Sequence, residues 1–467
     1  MIASLPAASL AAASRLYWTG TTARWALAGR RVPWLPAERL QRLQDRRVRD
    51  IVAHAYHTVP FYRRAMDARG LRPADLRTSQ DLARLPLVEG HDVARNPEDF
   101  QSTALGGRPV LEVWSSGSSG HVKKILWDRA AVFRVHASTV RHREVMAAFL
   151  GRLRGYRVLI IDRRGGTRDH VMTFIAKHSG FASGLGTIEE RASLADSFEH
   201  NVAAVNRFRP DLVMGFSGYN GAMFRWAASH GRHVARPRLV WSGGEMLPEP
   251  DRRLLQEDLG IPVVQGYQAC EALRIGYQCE HRDGYHINVD QVAVRIVDAA
   301  GHPVPPGMRG RIVVSSLINR ATVLLNYVLG DLGTATAAAC PCGRTLPLLA
   351  TIDGREDDFL VRRDGGVVHT AEVIAKLCVV PGVARLQVVQ HASDRLHVRV
   401  VCADGTDWAS VRAGVERAAA VLMGATAVAA AVERVSDIAS EPSGKFKIVI
   451  SRCAGRHRQA PAADPIA

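Results

Sequence analysis

The strongest constraint in this sequence is an alternation of short apolar segments with longer helix-like ones between residues 110 and 264. It predicts strands at 111–114, 157–161, 211–214, 238–241 and 262–264, and helices at 130–150, 189–207 and 218–229. Such alternation favours an α/β fold with a largely parallel sheet. In sheets of this kind ligands bind at the carboxyl ends of the strands, so the loops that follow the strands are the first places to look for chemistry.

The flanking segments have different patterns. Helical spacing of apolar residues predicts a helical entry over about 36–100, and short β segments with Gly and Pro turns predict a small β subdomain over about 285–350. A polar break at 353–358 precedes a final α/β unit. We therefore expect a large N-terminal domain over 1–353 and a small, mobile C-terminal α+β domain over 354–453. The tail, 454–467, is expected to be disordered.

Charge is the unusual part of the composition. The 467 residues include 61 Lys and Arg against 45 Asp and Glu, a formal net charge of +16, yet only six of the cations are Lys. The Arg residues are scattered without aromatic interleaving, so a nucleic-acid surface is the less favoured interpretation. Four of the six Lys fall in two Gly-containing segments, 115–124 and 443–447, where a compact point charge has a specific use.

Targeting signals are weak. No apolar run reaches the roughly 18–20 residues of a membrane helix, so no membrane association is expected. The apolar residues 1–14 lack a preceding Lys or Arg, which favours a ragged N-terminus over a signal peptide. An odd number of Cys, seven, makes a disulfide framework improbable. These features predict a cytoplasmic protein.

A loop rich in Ser and Gly follows the first predicted strand. It comprises Ser115, Ser116, Gly117, Ser118, Ser119 and Gly120, and Lys123 comes shortly after. Backbone N–H groups and hydroxyls in such a loop can surround a phosphate that a nearby Lys neutralises. The Walker A spacing is absent, and a flexible linker is the alternative.

Three more motifs follow strand-like segments. Gly243, Gly244 and Glu245 can let a backbone approach a planar ligand, and Tyr267 with Glu271 offers a ring and a Mg²⁺-binding carboxylate. Asp331 offers an acceptor for the two hydroxyls of a ribose. Taken singly, each is also compatible with an ordinary turn.

A last loop, 441–447, presents Lys445 after Gly444. A Lys on such a loop can deliver one mobile positive charge to a developing negative charge. A solvated basic turn is the alternative.

One cluster has metal-ligand chemistry. Cys279, His286, Cys340 and Cys342 form a three-thiolate, one-imidazole set that suits structural zinc. Cys270 and His281 are competing ligands, and reduced thiols without a metal are the alternative.

The order of these motifs resembles that of the AMP-forming adenylating ligases, and most closely the phenylacetate–CoA ligase and capsule-biosynthesis-protein branch. The motifs are the Ser/Gly loop with its Lys, Gly-Gly-Glu, Tyr-x-x-x-Glu, Tyr-x-x-Gly-Asp, Gly-Arg-x-Asp-Asp and Gly-Lys. Branch-specific features are Val-Pro-Phe-Tyr at 59–62, Cys-Glu followed by Gly-Tyr-His-Ile at 279–287, and Cys-Pro-Cys-Gly-Arg at 340–344. The match spans about residues 35–450.

The resemblance implies a two-step reaction. A carboxylate, aryl or small acyl, attacks the α-phosphate of ATP with Mg²⁺ present, and an acyl-adenylate and pyrophosphate form. A thiol then takes the acyl group and releases AMP; the thiol is CoA or the phosphopantetheine of an acyl carrier protein, and an amine is the alternative acceptor. A homodimer is compatible with this assignment.

The resemblance also implies roles for residues at matched positions. The loop 115–120 and Lys123 would hold phosphates, Glu271 would hold Mg²⁺, and Lys445 would bridge to the acyl and α-phosphate oxygens. Asp331 would bind ribose, Arg355 would contact ribose or phosphate, and the adenine and acyl groups would be bordered by Gly243, Gly244, Glu245 and Tyr267. Glu356 and Asp357 would form the hinge of the C-terminal domain. The acyl pocket is expected around 216–219 and 242–244.

Two positions depart from the family pattern. Val122 replaces the usual Pro before the loop Lys, and Val328 and Leu329 stand where Tyr-Arg-x-Gly-Asp is usual, so an Arg is missing. The missing Arg is the one feature in favour of a second hypothesis, a non-catalytic nucleotide- and zinc-binding module on a decayed ligase fold. The presence of Lys445 and Glu271 favours the enzyme.

Overall fold

The computed structural model describes residues 7–115, 122–180, 186–403, 405–424, 429–438 and 446–453. The first part of the chain is helical and leads into a hairpin and two more helices. The elements are α1 Ala7–Arg31, α2 Ala37–Thr58, α3 Pro60–Asp67, α4 Gly90–Arg95, β1 Val110–Trp114, β2 Lys124–Asp128, α5 Arg129–Ala137 and α6 Thr139–Leu150.

The central part alternates strands and helices. The elements are β3 Tyr156–Asp162, α7 Thr167–His178, β4 Thr187–Ser193, α8 Phe198–Phe208, β5 Leu212–Phe216, α9 Ser217–Ser229, β6 Leu239–Gly243, α10 Glu249–Arg253 and β7 Val263–Ala269. Antiparallel strands follow: β8 Leu273–Tyr277, β9 Tyr285–Ile287, β10 Val292–Val297, β11 Arg309–Ser316, β12 Tyr327–Thr336 and β13 Leu348–Arg355.

The described strands β3 to β13 form one sheet of 11 strands in the order β10-β11-β12-β13-β9-β8-β7-β6-β5-β3-β4. Strands β4, β3, β5, β6 and β7 pair in parallel, and the pairing from β7 through β8 to β10 is antiparallel. The β segments predicted as a small subdomain therefore continue the main sheet. The predicted α/β class, with a parallel region, is confirmed.

Apolar residues on both faces of the parallel strands explain why these segments read as continuous apolar runs. On β3, Val158 and Ile160 belong to the core beneath α5 and α6, whereas Leu159 and Ile161 pack with α8 and α9 on the other face. Helices thus cover both faces of the parallel half, which leaves its strand ends as the open edge.

The C-terminal segment has a separate hydrophobic core of its own. Its elements are β14 Phe359–Val361, β15 Val367–His369, α11 Thr370–Leu377, β16 Val383–Ala392, β17 Arg395–Cys402, α12 Trp408–Met423, β18 Ala429–Arg434 and β19 Val449–Ser451. Strands β18, β17, β16 and β19 form one sheet in that order, and α12 packs Val411, Val415 and Ala419 into the core. The α/β unit predicted after the polar break at 353–358 is present.

Several local predictions are wrong. Of the predicted ragged N-terminus, 1–14, residues 7–14 lie in α1, whose Ala-rich sequence has no clear periodicity. Further along α1, the ring of Trp18 stacks on Phe133 with ring centres 5.1 Å apart. Residues 189–193 lie in β4 and not in a helix. The prediction was wrong because the charged, exposed sequence of this edge strand resembles that of a helix surface. The predicted helix 130–150 breaks at Ser138 into α5 and α6.

No helix in the described residues has the length and apolar character required to cross a bilayer. The predicted disordered tail, 454–467, lies outside the described residues.

Candidate active site

A buried cation, carboxylate and phenol meet beside the β1–β2 hairpin. Lys123 Nζ lies 3.0 Å from Glu271 Oε1 and donates to the Tyr327 hydroxyl at 2.9 Å. The Tyr327 hydroxyl in turn donates to Glu271 Oε1 at 3.2 Å. Glu271 lies in the turn between β7 and β8, and Tyr327 begins β12. Two of the sequence-predicted residues, Lys123 and Glu271, are therefore brought into direct contact.

Glu271 is ionised in this setting. Burial alone would raise its pKa, but the charge and hydrogen bond of Lys123 outweigh burial, so the pKa of Glu271 lies below its ordinary value. A buried carboxylate that stays charged at neutral pH is suited to hold a divalent cation. Lys123, close to it, is a compact charge suited to a phosphate oxygen.

A second group forms around Asp331 in β12. Its Oδ2 accepts a hydrogen bond from the Tyr267 hydroxyl at 2.8 Å, and its Oδ1 accepts one from Arg355 Nη1 at 3.0 Å. A carboxylate has about four lone-pair positions, so acceptor capacity is left for two further hydroxyls. Three predicted residues, Tyr267, Asp331 and Arg355, thus converge. Tyr267 contacts this carboxylate through its hydroxyl.

The two residues that depart from the family motif lie beside Arg355. Val328 and Leu329 are buried, and Arg355 Nη1 donates to the Leu329 carbonyl at 2.8 Å. A Cβ on Gly330 would lie 2.9 Å from Arg355 Nη2, so the guanidinium packs on this backbone. The charge of Asp331 raises the pKa of Arg355 despite its burial, and the group stays cationic. A guanidinium is therefore present beside Asp331, supplied from β13.

The Gly-Gly-Glu motif ends β6 at the open edge of the sheet. Gly244 has φ +83°, and a Cβ there would lie 2.8 Å from the Phe216 ring. Glu245 Oε1 accepts a hydrogen bond from the Gly218 N–H at 2.8 Å, and Glu245 Oε2 accepts one from the Phe446 N–H at 2.6 Å. Glu245 therefore joins the start of α9 to the C-terminal segment, a contact that the sequence did not predict.

The predicted phosphate loop and lysine are only partly described. Ser115 and Lys123 close the base of the loop, because the Ser115 N–H donates to the Lys123 carbonyl at 3.0 Å and the Lys123 N–H donates to Ser115 Oγ at 2.9 Å. Ser116, Gly117, Ser118, Ser119 and Gly120 lie outside the described residues, as does Lys445. Phe446, the next residue after Lys445, is held by Glu245.

The predicted hinge residues lie directly after β13. The Glu356 N–H donates to the Gly330 carbonyl at 2.8 Å, and its carboxylate lies 2.9 Å from Arg311 Nε. Arg311 also pairs with Glu89 at 2.8 Å. The charge of Asp357 contributes to the raised pKa of Arg355. Glu356 is thus anchored to the large sheet at the point where the chain leaves it.

The predicted zinc ligands form one cluster. The ligand atoms of Cys279, His286, Cys340 and Cys342 all lie within 4.8 Å of one another. Cys279 Sγ is 3.5 Å from Cys340 Sγ, and Cys342 Sγ is 3.4 Å from His286 Nε2. Sulfur atoms of a tetrahedral zinc site with Zn–S bonds of about 2.3 Å lie about 3.8 Å apart, so the spacing is close to that of such a site. The competing candidate Cys270 instead contacts Trp114 and Thr167.

The surroundings of the cluster suit a structural site. Arg344 donates its backbone N–H to Cys342 Sγ at 3.4 Å, and its guanidinium pairs with Glu280 at 2.8 Å. Burial and the charge of Arg344 lower the pKa of His286 to about 4, which keeps the imidazole neutral. A neutral imidazole with three thiols fits Zn²⁺. The four residues would tie the β8–β9 connection to the segment after β12.

One further residue of the site was not among the predicted ones. The Tyr327 hydroxyl contacts both Lys123 and Glu271, and a Cβ on Gly90 would lie 3.4 Å from it. Its position in the Tyr-x-x-Gly-Asp motif is a signal that could have identified it.

Comparisons with known proteins agree with this geometry. No protein-family model matches the chain. The phenylacetate–coenzyme A ligase of Thermus thermophilus is 30% identical to it over 364 residues, which cover 75% of this chain and 77% of that protein. The Escherichia coli phenylacetate–coenzyme A ligase is 25% identical over 342 residues, 70% of this chain and 73% of that protein.

Solved structures share the fold. A crystal structure of 2-hydroxyisobutyryl-CoA ligase in the postadenylation state, in complex with R3-HIB-AMP, superposes with a TM-score of 0.74 at 21% identity, over 91% of this chain and 92% of that one. The same ligase in the thioesterification state, with 2-HIB-AMP and CoA, gives a TM-score of 0.59 over 92% and 94% of the two chains. The sequence relatives and the shared architecture lead to one assignment: the chain belongs to the phenylacetate–coenzyme A ligase family of the AMP-forming adenylating enzymes.

Proposed function

We propose that this protein is an AMP-forming acid–CoA ligase. In the first step a carboxylate oxygen attacks the α-phosphorus of ATP, the bond to the bridging oxygen of pyrophosphate breaks, and an acyl-adenylate forms. In the second step the thiol sulfur of CoA attacks the acyl carbon and AMP leaves. The observation that carries the proposal is the convergence of Lys123, Glu271 and Tyr327 with Asp331 and Tyr267 at one edge of the sheet.

The first step needs positive charge, because negative charge accumulates on the phosphate oxygens as the carboxylate attacks. In the proposal Lys123 binds a phosphate oxygen and Glu271 holds Mg²⁺. Bound Mg²⁺ would neutralise phosphate charge and orient the leaving group. The preformed Lys123–Glu271 pair supports these roles, since Lys123 lowers the pKa of Glu271 and so keeps that carboxylate ionised.

Lys445 is the proposed second cation, which bridges the acyl and α-phosphate oxygens. Its neighbour Phe446 is tied to Glu245, and Glu245 follows the glycines that end β6. Asp331, with Tyr267 and Arg355, is the proposed ribose site. Gly243 and Gly244 would border adenine and the acyl group.

The C-terminal segment is proposed to act as a lid. We assign residues 1–353 to the adenylating domain and 354–453 to the lid, with Glu356 and Asp357 at the hinge. A lid that rotates between half-reactions could first supply Lys445 and then admit the acceptor. The separate core of the C-terminal segment supports this division.

CoA is the proposed acceptor, because the relatives named above are CoA ligases. A carrier-protein phosphopantetheine and an amine are the competing acceptors. We also propose a cytoplasmic location, where ATP and CoA are available.

The cluster of Cys279, His286, Cys340 and Cys342 is proposed to hold structural zinc, which would cross-link the chain segments and take no part in the reaction. The missing Arg at position 328 still favours the non-catalytic alternative, whereas the buried Lys123–Glu271 pair favours the enzyme.

The test of this proposal is product formation. Purified protein is incubated with ATP, Mg²⁺ and a panel of aryl and short-chain acids, with CoA, phosphopantetheinylated carrier protein or hydroxylamine as acceptor. The proposal expects an acyl-CoA and AMP in equal amounts, detected by mass spectrometry, for at least one acid. Transfer to the carrier protein or the amine without transfer to CoA would contradict the proposed acceptor, and no AMP with any pair would contradict the proposed enzyme.

A further inference from the structure

Two arginines lie at the carboxyl end of the sheet without an ion-pair partner. Arg168 is in the first turn of α7, and Arg274 is the second residue of β8. In the described parts of the chain, no carboxylate lies within ion-pair distance of either guanidinium, and Arg274 Nη1 donates only to the His142 imidazole Nδ1, at 2.9 Å. Each arginine also lies close enough to the other for their charges to repel. The charges of Glu189, Asp162 and Asp169 partly offset the burial of Arg168, whereas no carboxylate offsets that of Arg274, so an anion bound beside Arg274 would stabilise it.

Three other arginines of this protein do face a carboxylate at hydrogen-bond distance: Arg141 with Asp290 at 2.7 Å, Arg344 with Glu280 at 2.8 Å and Arg355 with Asp331 at 3.0 Å. Burial, with a smaller contribution from the charge of Arg168, lowers the pKa of Arg274 to about 10. Arg274 is still a cation at neutral pH.

The position of Arg274 links it to the proposed acyl crevice. Arg274 in β8 lies directly opposite Gln268 in the antiparallel pairing of β7 with β8. The Gln268 amide nitrogen lies 3.0 Å from where a Cβ on Gly243 would be. Residues directly opposite each other on paired strands point to the same face. Arg274 and Gln268 therefore share the face that borders the Gly243–Gly244 backbone.

His142 holds the guanidinium in place. Its ring stacks on Trp241 at 4.9 Å and packs against Tyr277 at 5.1 Å. Burial and the charges of Arg274 and Arg141 lower the pKa of His142 well below its ordinary value, so the imidazole is neutral and its Nδ1 can accept. On the other side, Thr167 Oγ1 lies 3.5 Å from Cys270 Sγ, which brings the first turn of α7 against the β7–β8 turn.

We propose that Arg274, assisted by Arg168, binds a second carboxylate on the acid substrate, so that the enzyme activates dicarboxylic acids. This inference rests on the proposed function and specifies its substrate class. One carboxylate of the diacid would react with ATP while the other pairs with Arg274 and stays unreacted. A bidentate guanidinium–carboxylate pair would fix the orientation of the substrate.

The experiment compares matched acids that differ only in the second carboxylate. The pairs are phenylacetate with the carboxyphenylacetates, benzoate with the phthalates, and propionate with succinate. Acid-dependent ATP–pyrophosphate exchange is measured for the wild type, Arg274→Leu, Arg274→Lys and the control Arg236→Gln. Arg236 is an exposed arginine near the opposite ends of the strands, beside Asp211 and Arg238.

The proposal expects at least one diacid to exceed its monoacid by about tenfold in kcat/KM, since a half-buried cation without a carboxylate partner discriminates against a substrate that leaves it unpaired. Arg274→Leu should lower the diacid value by about 30-fold or more through KM and spare the monoacid, and Arg274→Lys should restore part of the loss. Arg236→Gln should change neither, and thermal unfolding of each variant reports whether it folds.

Three results would overturn the proposal. Exchange with monoacids only, unchanged by Arg274→Leu, would contradict the dicarboxylate site and leave the adenylation function intact. An equal loss for every acid, with a raised KM for ATP, would assign Arg274 to nucleotide phosphates instead. Exchange with no acid of either class would contradict the adenylation function itself.

Discussion

The carboxylate of Glu245 accepts a hydrogen bond from the backbone N–H of Phe446 at 2.6 Å, across 201 residues of sequence. The same carboxylate accepts from the Gly218 N–H, so one side chain links β6, the start of α9 and the C-terminal segment. Because Phe446 follows Lys445 in the sequence, we expect the Glu245–Phe446 bond to influence where the proposed catalytic lysine is presented. We regard Glu245 as a positioning residue for the lid.

The Glu245–Phe446 contact predicts a selective defect in Glu245→Ala. Hydrogen bonds to charged groups contribute about 1.5–3 kcal/mol each, so losing the bond to Phe446 should lower ATP–pyrophosphate exchange by about 10- to 100-fold. ATP affinity, measured by calorimetry, should fall less than exchange does, because the phosphate and ribose residues are untouched and Glu245 is expected only to border the adenine and acyl groups. Glu249→Ala, which removes a carboxylate paired with Arg252 and Arg253 on α10, is the control and should retain exchange. Equal exchange in the two variants would refute the positioning role.

The Lys123–Glu271 pair should contribute to stability as well as to activity. Both side chains are less than a tenth exposed (8% and 9%), and removing one partner leaves a buried charge unpaired. Lys123→Met should therefore cost about 3–5 kcal/mol in the free energy of unfolding. The neighbouring pair Lys124–Glu112 has the same chemistry at 2.9 Å but is 34% and 49% exposed, so Lys124→Met should cost about 1 kcal/mol or less.

Urea unfolding measures both values. A double-mutant cycle with Glu271→Gln checks the cause, because the double variant should lose less than the sum of the two single variants. Strict additivity would show that the two charges do not interact.

Acid sensitivity should follow from the lowered pKa of Glu271. Its ordinary value is 4.5, and the folded-state value lies below it. The folded state therefore binds this proton less tightly than the unfolded state, and the stabilisation is present above pH 4.5 and is lost as the pH falls through the folded-state pKa. The difference in unfolding free energy between the wild type and Glu271→Gln should shrink between pH 6 and strongly acidic pH. A constant or growing difference would contradict the assignment.

The cysteine and histidine cluster should bind one zinc ion per chain. Elemental analysis of the purified protein should give about one equivalent, and Cys340→Ser should lower both the zinc content and Tm, because binding to the folded state stabilises it. Cys402→Ser is the control, since Cys402 lies in β17, outside the cluster. Zinc content well below one equivalent in the wild type, or equal content in the two variants, would refute the site.

The sequence predicted the parallel half of the sheet well because its strands are buried on both faces and read as apolar runs between Gly-bearing turns. The sequence did not predict β4, because its exposed Glu and Arg residues are typical of a helix surface. It did not predict α1, because the Ala-rich sequence of that helix has little apolar periodicity. The zinc ligands were predicted together because the Cys-Pro-Cys turn already aims two thiols at one point. The spacing of residues along the sequence does not show which distant helices and strands contact each other.

The candidate site shows the same division. Its loops were predicted because each follows a strand, and chemistry at strand ends is a property of the fold class. The Tyr267–Asp331 and Lys123–Tyr327 contacts depend on how β7, β12 and the β1–β2 hairpin pack together, over separations of 64 and 204 residues. The contact between Arg355 and Asp331 likewise follows from strand pairing, since the two residues lie opposite each other in the pairing of β12 with β13.

ATP–pyrophosphate exchange over a panel of mono- and dicarboxylic acids, with wild-type protein and Lys445→Ala in parallel, tests the central claim most directly. The assay isolates the first half-reaction and needs no acceptor. We expect exchange that requires an acid and Mg²⁺ and falls by about 10²-fold or more in Lys445→Ala, because the variant lacks a charge that stabilises the transition state. Absence of exchange with every acid, in protein that is folded and saturated with ATP and Mg²⁺, would contradict the adenylating function.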